Sequence, residues 1–294
     1  MGHYGGNGMG FSVRGLAARQ LADYRAGTPG TFFGEEDRPR LTLDDAYAVQ
    51  GEVARLRVAE EEAVAGYKVG ATGPGTRKQF GMDGPVRGSL YDTELHSSGA
   101  TLSHASYRNL AVEGELAVRL GDDAEIARVF PVIELHNYVF RSETPNLQEL
   151  VANSGLHAGV VLPNTDGIEW GGEEPLDGVL RIEINGRTVE EGSMSGVPGG
   201  PAGSVGWLRR DLGAHGLALR PRQLMLTGTP LGLYPVRPDD TVRVTAGRLG
   251  TVEATVSSPE RRHRISSRGE STRAPRSAPQ RRGTERLGPK GRNE

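Results

Sequence analysis

Hydrophobic positions along the chain follow two periods, and the change between them divides the sequence. In VRGLAARQLADYRAG, Leu16, Leu21 and Tyr24 recur at roughly helical spacing and the run closes at Gly27-Thr28-Pro29, which predicts a short helix. LTLDDAYAVQGEVARLRVAEEEA predicts a second: Thr42 is placed to cap it, Asp45 occupies the box position, and Leu43, Ala46, Val49, Val53 and Leu56 form an apolar stripe. From Gly66 onward the pattern shortens to apolar runs separated by Gly, Pro, Asn and Asp, as in a β-rich domain. Strands are predicted in GYKVG, LAVEGELAVRL, VFPVIELHNYVF, AGVVLP, LRIEINGRTVEEG, QLMLTGTP, TVRVTAG and GTVEATV, with a hairpin at Asn185-Gly186. Two helical segments interrupt them, TPNLQELVANSG and PAGSVGWLRRDLGAHG, the latter ending at Gly213 or Gly216.

Charge adds a third region. Residues 257–294 hold 11 of the 35 basic and 4 of the 37 acidic residues, a net of +7 that leaves the rest of the chain at −9. Ile265 and Leu287 are the only large aliphatics of this tail and it has no aromatics, so it cannot bury enough surface to offset its ordering entropy. The expected organisation is an N-terminal helical region (1–65) with a loose Gly-rich start, a β-rich catalytic domain (66–256) and a disordered basic tail (257–294). An acidic body does not attract nucleic acid through its general field. No run of about 18 apolar residues exists and the N-terminus lacks a secretory pattern, so no membrane partner and a cytoplasmic location are expected. The chain has no cysteine, which excludes disulfides, thiolate nucleophiles and Cys-ligated zinc.

The candidate chemistry begins in VEGELAV. Glu113 and Glu115 are two apart, so in a strand they share a face about 6.7 Å apart and repel by roughly 2.5 kcal/mol at an effective dielectric near 20. Glu134 lies in another apolar strand-like run, after Val132 and Ile133. Spacing leaves two readings open: a hard-cation site of oxygen ligands, or a solvated strand face with Glu134 paired to an arginine. Lys68 in AGYKVGATG bears on the choice. The chain uses 32 Arg but three Lys, and this one sits among Gly, Tyr and Val, a setting suited to proton transfer as well as to an edge lysine.

The ordered set GYKVGATGPGTRKQFGMDGPVRGSLYD, VEGELAVRL, FPVIELHNYV, VANSGLHAGVVLP and LMLTGTPLGLYPVRPDDTVRV, over roughly residues 12–256, resembles the 2-keto-4-pentenoate hydratase / 4-oxalocrotonate decarboxylase family of the fumarylacetoacetate hydrolase superfamily. The resemblance implies an α+β, β-rich fold, a mixed β-roll with a small N-terminal helical region. It implies Glu113, Glu115 and Glu134 as ligands of Mg²⁺ or Mn²⁺ and Lys68 as the active-site lysine. Asn153 and Ser154, and Thr227, Gly228 and Thr229, match segments near the substrate. The implied activity is that of a lyase, hydratase type, acting on a 2-oxo or 2-hydroxy-dienoic acid through a metal-chelated enolate, in a homo-oligomer. A 4-oxalocrotonate-type decarboxylase, an acylpyruvate C–C hydrolase, a diverged biosynthetic member and a metal-dead scaffold subunit are the alternatives.

Three departures separate this chain from the family pattern. Val86 stands where the family has Asp after the Pro, with Arg87 beside it. Asn137 stands where the third-ligand motif has Asp, preceded by His136, a candidate base or extra ligand; His104 and His157 are read as structural. The segment between Glu115 and Glu134 is about a dozen residues shorter than usual, which removes most of an intervening helix.

Overall fold

The structure, a computed structural model, describes residues 12–27, 41–73, 77–78, 81–82, 84–139, 146–172 and 176–258. The Gly-rich start and nearly all of the basic tail lie outside the described residues. Helix α1 (Val13–Ala26) starts at Ser12, whose hydroxyl accepts from the Gly15 amide, and ends at Gly27 in the left-handed conformation. Helix α2 (Leu43–Ala59) carries the expected capping box: Thr42 Oγ1 accepts from the Asp45 amide, and the Asp45 carboxylate accepts from the Thr42 amide. Leu16, Leu21, Ala46, Val49 and Val53 from these helices close over Val86 and Val151 in one buried cluster.

The strands follow as β1 (Val64–Gly70), β2 (Val86–Tyr91), β3 (Leu95–Ser97), β4 (Ala100–Ser103), β5 (Leu110–Leu120) and β6 (Ile126–Asn137). Helix α3 (Leu147–Ala152) leads to β7 (His157–Leu162), β8 (Ile168–Glu169), β9 (Val179–Ile184) and β10 (Arg187–Ser193). Helix α4 (Gly200–Ala214) leads to β11 (Leu224–Leu226), β12 (Tyr234–Pro235), β13 (Thr241–Thr245) and β14 (Thr251–Ser257). Among the described residues they form a nine-stranded mixed sheet, ordered β2-β1-β11-β5-β6-β7-β3 with β12 on β5 and β8 on β6. A five-stranded sheet is ordered β10-β9-β13-β14-β4. The shortened segment after Glu115 is accounted for directly: β5 turns at residues 121–125 into its antiparallel partner β6 without a helix.

The long β5–β6 pair has two different faces. Val112, Leu116, Val118, Ile133 and Leu135 pack against Leu180, Ile182, Val244 and Val252 of the second sheet, each fully buried aliphatic contributing about 1.5–3 kcal/mol. Gly114 belongs to this face, and a Cβ there would lie 3.0 Å from a Val244 methyl. Ala117, Phe130 and Val132 point the other way and cluster with Leu90, Val160, Leu224 and Leu226. The period of two then places Glu113, Glu115, Glu134 and His136 on that second face. Strand β2 was not legible in the sequence: VRGSLY is buried at every position and shows no alternation.

Candidate active site

Register brings the acidic residues together. Glu113 lies directly opposite Glu134 across the β5–β6 ladder, Glu115 is opposite Val132, and His136 is opposite Ala111. Directly opposed like charges destabilise a sheet, and here the face is also dry: Glu115 and Glu134 are 1% and 2% exposed. Single ligand atoms of Glu113, Glu134 and His136 all lie within 4.8 Å of one another. His136 Nε2 is 3.2 Å from Glu113 Oε2 and 3.3 Å from Glu134 Oε2.

Lys68 reaches this face from β1. Its Nζ donates to Glu134 Oε1 at 2.7 Å and to the Gly155 carbonyl at 3.0 Å. The carbonyl is aimed by a contorted segment in which Ser154, Gly155 and Leu156 have φ of 52°, 63° and 69°, costly for the non-glycine residues by about 1–3 kcal/mol each. Gly155 itself has no alternative, since a Cβ would come 3.0 Å from Lys68 Cε. His157, the next residue after that segment, places Nδ1 2.7 Å from Glu134 Oε1. Sequence reading took His157 as structural; its only sequence signal is its position at the head of an apolar strand.

The charges do not cancel. Burial would raise the Glu134 carboxyl, but the Lys68 charge, then the His136 charge and the imidazole hydrogen bonds, hold it well below its ordinary value. Glu134 is therefore a carboxylate and accepts from Nδ1–H of His157. Glu115 is driven the opposite way, well above the usual range, by burial first and then by the charges of Glu134 and Glu113. Burial would lower His136, yet the Glu134 charge outweighs it and the imidazole is raised. The Gly228 amide donates to Glu115 Oε1. Gly228 adopts φ 92° and lies so close to Thr72 that a Cβ would meet its methyl at 2.5 Å.

These groups line a cavity of about 850 Å³, which takes in Lys68, Glu113, Glu115, Glu134, His136, Gly228 and Thr229. The other expected site residues stand behind it. Thr227 donates its hydroxyl to the Leu116 carbonyl and its own carbonyl accepts from Ser204. Asn153 Oδ1 accepts from Gln20 at 2.6 Å, and Asn153 and Ser154 line a separate small cleft with Gln20 and His157. Asn137 accepts from the Arg108 and Asn109 amides and so holds the chain entering β5. Val86 lines the cavity, whereas Arg87 turns away to pair with Asp211 of α4 at 2.5 Å over the Tyr47 ring.

Oxygen and imidazole donors crowded on a dry face, with one carboxyl forced up by two others, suit a hard divalent cation. Residues 154–257 match the family model for the fumarylacetoacetate (FAA) hydrolase C-terminal region. The 2-oxo-hept-4-ene-1,7-dioate hydratase of Escherichia coli is 27% identical over 240 residues, covering 74% of this chain and 87% of the relative. A 4-oxalocrotonate decarboxylase of Pseudomonas sp. (strain CF600) is 27% identical over 234 residues, with the same coverage. Among solved structures, 4-oxalocrotonate decarboxylase from Pseudomonas putida G7 complexed with calcium and acetate superposes with a TM-score of 0.74 at 25% identity, over 83% of this chain and 96% of that one. The same protein complexed with magnesium and adipate gives 0.76 at 24%, over 83% and 97%. The fold is fumarylacetoacetate hydrolase-like, mixed and strand-rich with a helix at the N-terminus. Over about three quarters of its length the chain is similar to hydratases and decarboxylases, which are lyase-type enzymes. Among the described residues no helix is long and apolar enough to cross a membrane.

Proposed function

We propose that this chain is a divalent-metal-dependent lyase of the hydratase type, acting on a 2-oxo or 2-hydroxy-dienoic acid. The observation that carries the reading is the convergence of Glu113, Glu115, Glu134 and Lys68 on one cavity wall, with Glu115 held well above its ordinary value by burial and then by the charges of Glu134 and Glu113. Glu113, Glu115 and Glu134 would hold the ion, Mg²⁺ or Mn²⁺, and a ring nitrogen of His136 lies within 4.8 Å of oxygens of Glu113 and Glu134. When bound, such an ion supplies Lewis-acid polarisation of the 2-oxo acid and offsets the carboxylate repulsion. Lys68 moves the proton. Its ammonium is aimed by Glu134 and the Gly155 carbonyl, which fix its position at the cavity wall while leaving its third hydrogen for a substrate atom. His157 orients Glu134 from behind, as outer partners of ligand carboxylates do. Gly228 fixes Glu115, and its neighbour Thr229 spends its hydroxyl on the Gly114 carbonyl, so these residues shape the wall. A cytoplasmic location and homo-oligomeric assembly are part of the proposal, in keeping with the family resemblance.

The test is incubation with 2-hydroxypenta-2,4-dienoate and its longer homologues in the presence of Mg²⁺. Metal-dependent loss of their ultraviolet absorbance is expected. Persistent absorbance together with CO₂ release from 4-oxalocrotonate would move the reading to the decarboxylase alternative, and turnover of neither would sink both.

A further inference from the structure

The cavity is larger than the acid head it is proposed to hold, and aliphatic side chains supply much of the rest of its wall. A five-carbon dienoate has eight heavy atoms and takes roughly 240 Å³ if each fills about the 30 Å³ of a water. That is well under half of the 850 Å³ available. Val86, Leu150, Leu156, Pro198, Leu231 and Leu233 form its apolar part, beside Thr72, Tyr138 and Ser193. Val86 is also where the sequence departs from an expected Asp, so the departure itself makes the wall less polar.

Charge points the same way. Lys68 is the only Lys or Arg among the described lining residues, and it is committed to Glu134 and Gly155. His136 Nε2 lies within ion-pair distance of Glu113 and Glu134, and neither ring nitrogen has a hydrogen-bond partner among the described residues. Three carboxylates are thus faced by one lysine and one divalent ion, and the substrate's own carboxylate already takes the site past neutrality. A second carboxylate would have to be desolvated there without a partner, which is costly. Arg77 lines a neighbouring pocket of about 160 Å³ that shares Val69, Thr72 and Pro198 with the cavity, and it donates to the Thr72 carbonyl at 3.3 Å.

We infer that the substrate is a monocarboxylic 2-oxo or 2-hydroxy-dienoic acid whose far end is a bulky, uncharged apolar group, an alkyl or aryl chain seated against the leucine wall. The inference rests on the proposed function and narrows it to one substrate class.

Calorimetric titration of the Mg²⁺-loaded protein with 2-oxobutanoate, 2-oxohexanoate, 2-oxooctanoate and 2-oxohexanedioate tests it without requiring turnover. Affinity is expected to rise about fourfold per added methylene, and 2-oxohexanedioate to bind at least about tenfold more weakly than 2-oxohexanoate. A series flat in chain length, or a dicarboxylate that binds more tightly, overturns the inference and leaves the proposed function standing; in the latter case Arg77 becomes the anchor. If no member binds in a Mg²⁺-dependent way, the proposed function falls with it. Leu233 is 42% exposed and tolerates a charge, so Leu233→Arg is expected to shift the preference toward 2-oxohexanedioate by about tenfold. An unshifted preference counts against the leucine wall as the seat of the far end.

Discussion

Among the described residues, two networks of largely shielded charged side chains are balanced in opposite ways. Under α2, Arg57 pairs with Glu62 at 2.5 Å and with Glu94 at 2.8 Å, and its guanidinium lies 3.5 Å from the centre of the Tyr91 ring. Arg25 adds a further contact to Glu62 and one to Glu60. Burial would raise the Glu62 carboxyl, but hydrogen bonds from Arg57 and Thr93 outweigh it and hold it below the ordinary value. On the β5–β6 face one lysine meets three carboxylates, and Glu115 is forced upward instead. The first cluster joins helix to sheet and gains from its pairing. The second crowds three carboxyls whose repulsion a proton on Glu115 or a bound cation can relieve, an arrangement that suits a binding site and that a structural bridge avoids.

The comparison breaks most visibly at Arg57. Arg57→Ala takes the guanidinium from the half-buried Glu62 and Glu94, leaving them the partly exposed Arg25 and the Thr93 and Tyr24 hydroxyls, and should cost about 3 kcal/mol of stability in denaturant titration, with the β5–β6 site unaffected in any protein that still folds. Glu115→Gln should act the other way round. Metal affinity measured by calorimetry should fall by more than about a hundredfold, beyond the roughly 10–100-fold of an outer-shell change. The metal-free protein should melt at a higher temperature, by about 1 kcal/mol of relieved repulsion. If Glu115→Gln lowers the metal-free melting temperature, the face is not a store of repulsion. His157→Gln, which removes the partner behind Glu134, should weaken metal binding by about tenfold or more and shift the melting temperature less than Arg57→Ala does.

The smallest effect is a pH dependence. Because the Glu62 carboxyl is held below its unfolded value, its contribution is fully present above about pH 4.5 and is lost as pH falls through the lowered folded value. Glu62→Gln should therefore cost about 1 kcal/mol at neutral pH and nothing once the pH is below both values, read from urea midpoints across the acid range.

Much of this was legible because it is local. The Thr42–Asp45 capping box, the Asn185-Gly186 hairpin and the alternation in LAVEGELAVRL each depend on residues within a turn or a strand, where backbone geometry alone fixes which side chains face together. Strand β2 escaped because burial on both faces erases alternation, and the reach of β6 back to Ile126 escaped because its first residues, Ile126, Ala127 and Arg128, are all half-exposed and show no alternation.

The sequence by itself determined the ingredients of the site: two glutamates two apart, a third in an apolar run, an isolated lysine, and a family pattern that joins them. Only the tertiary structure decided their relations. Register set Glu113 against Glu134 and brought His136 beside both. The left-handed segment 154–156 turned a carbonyl toward Lys68 and brought His157 behind Glu134, while Thr227, Asn153 and Asn137 were spent on backbone and neighbouring groups. The physical reason is range. Strand periodicity is written in neighbouring residues, whereas the balance of charge in a cavity depends on groups far apart in sequence, such as Lys68 and Glu134, 66 residues apart, and Glu115 and Gly228, 113 apart, that meet only when the sheet is complete.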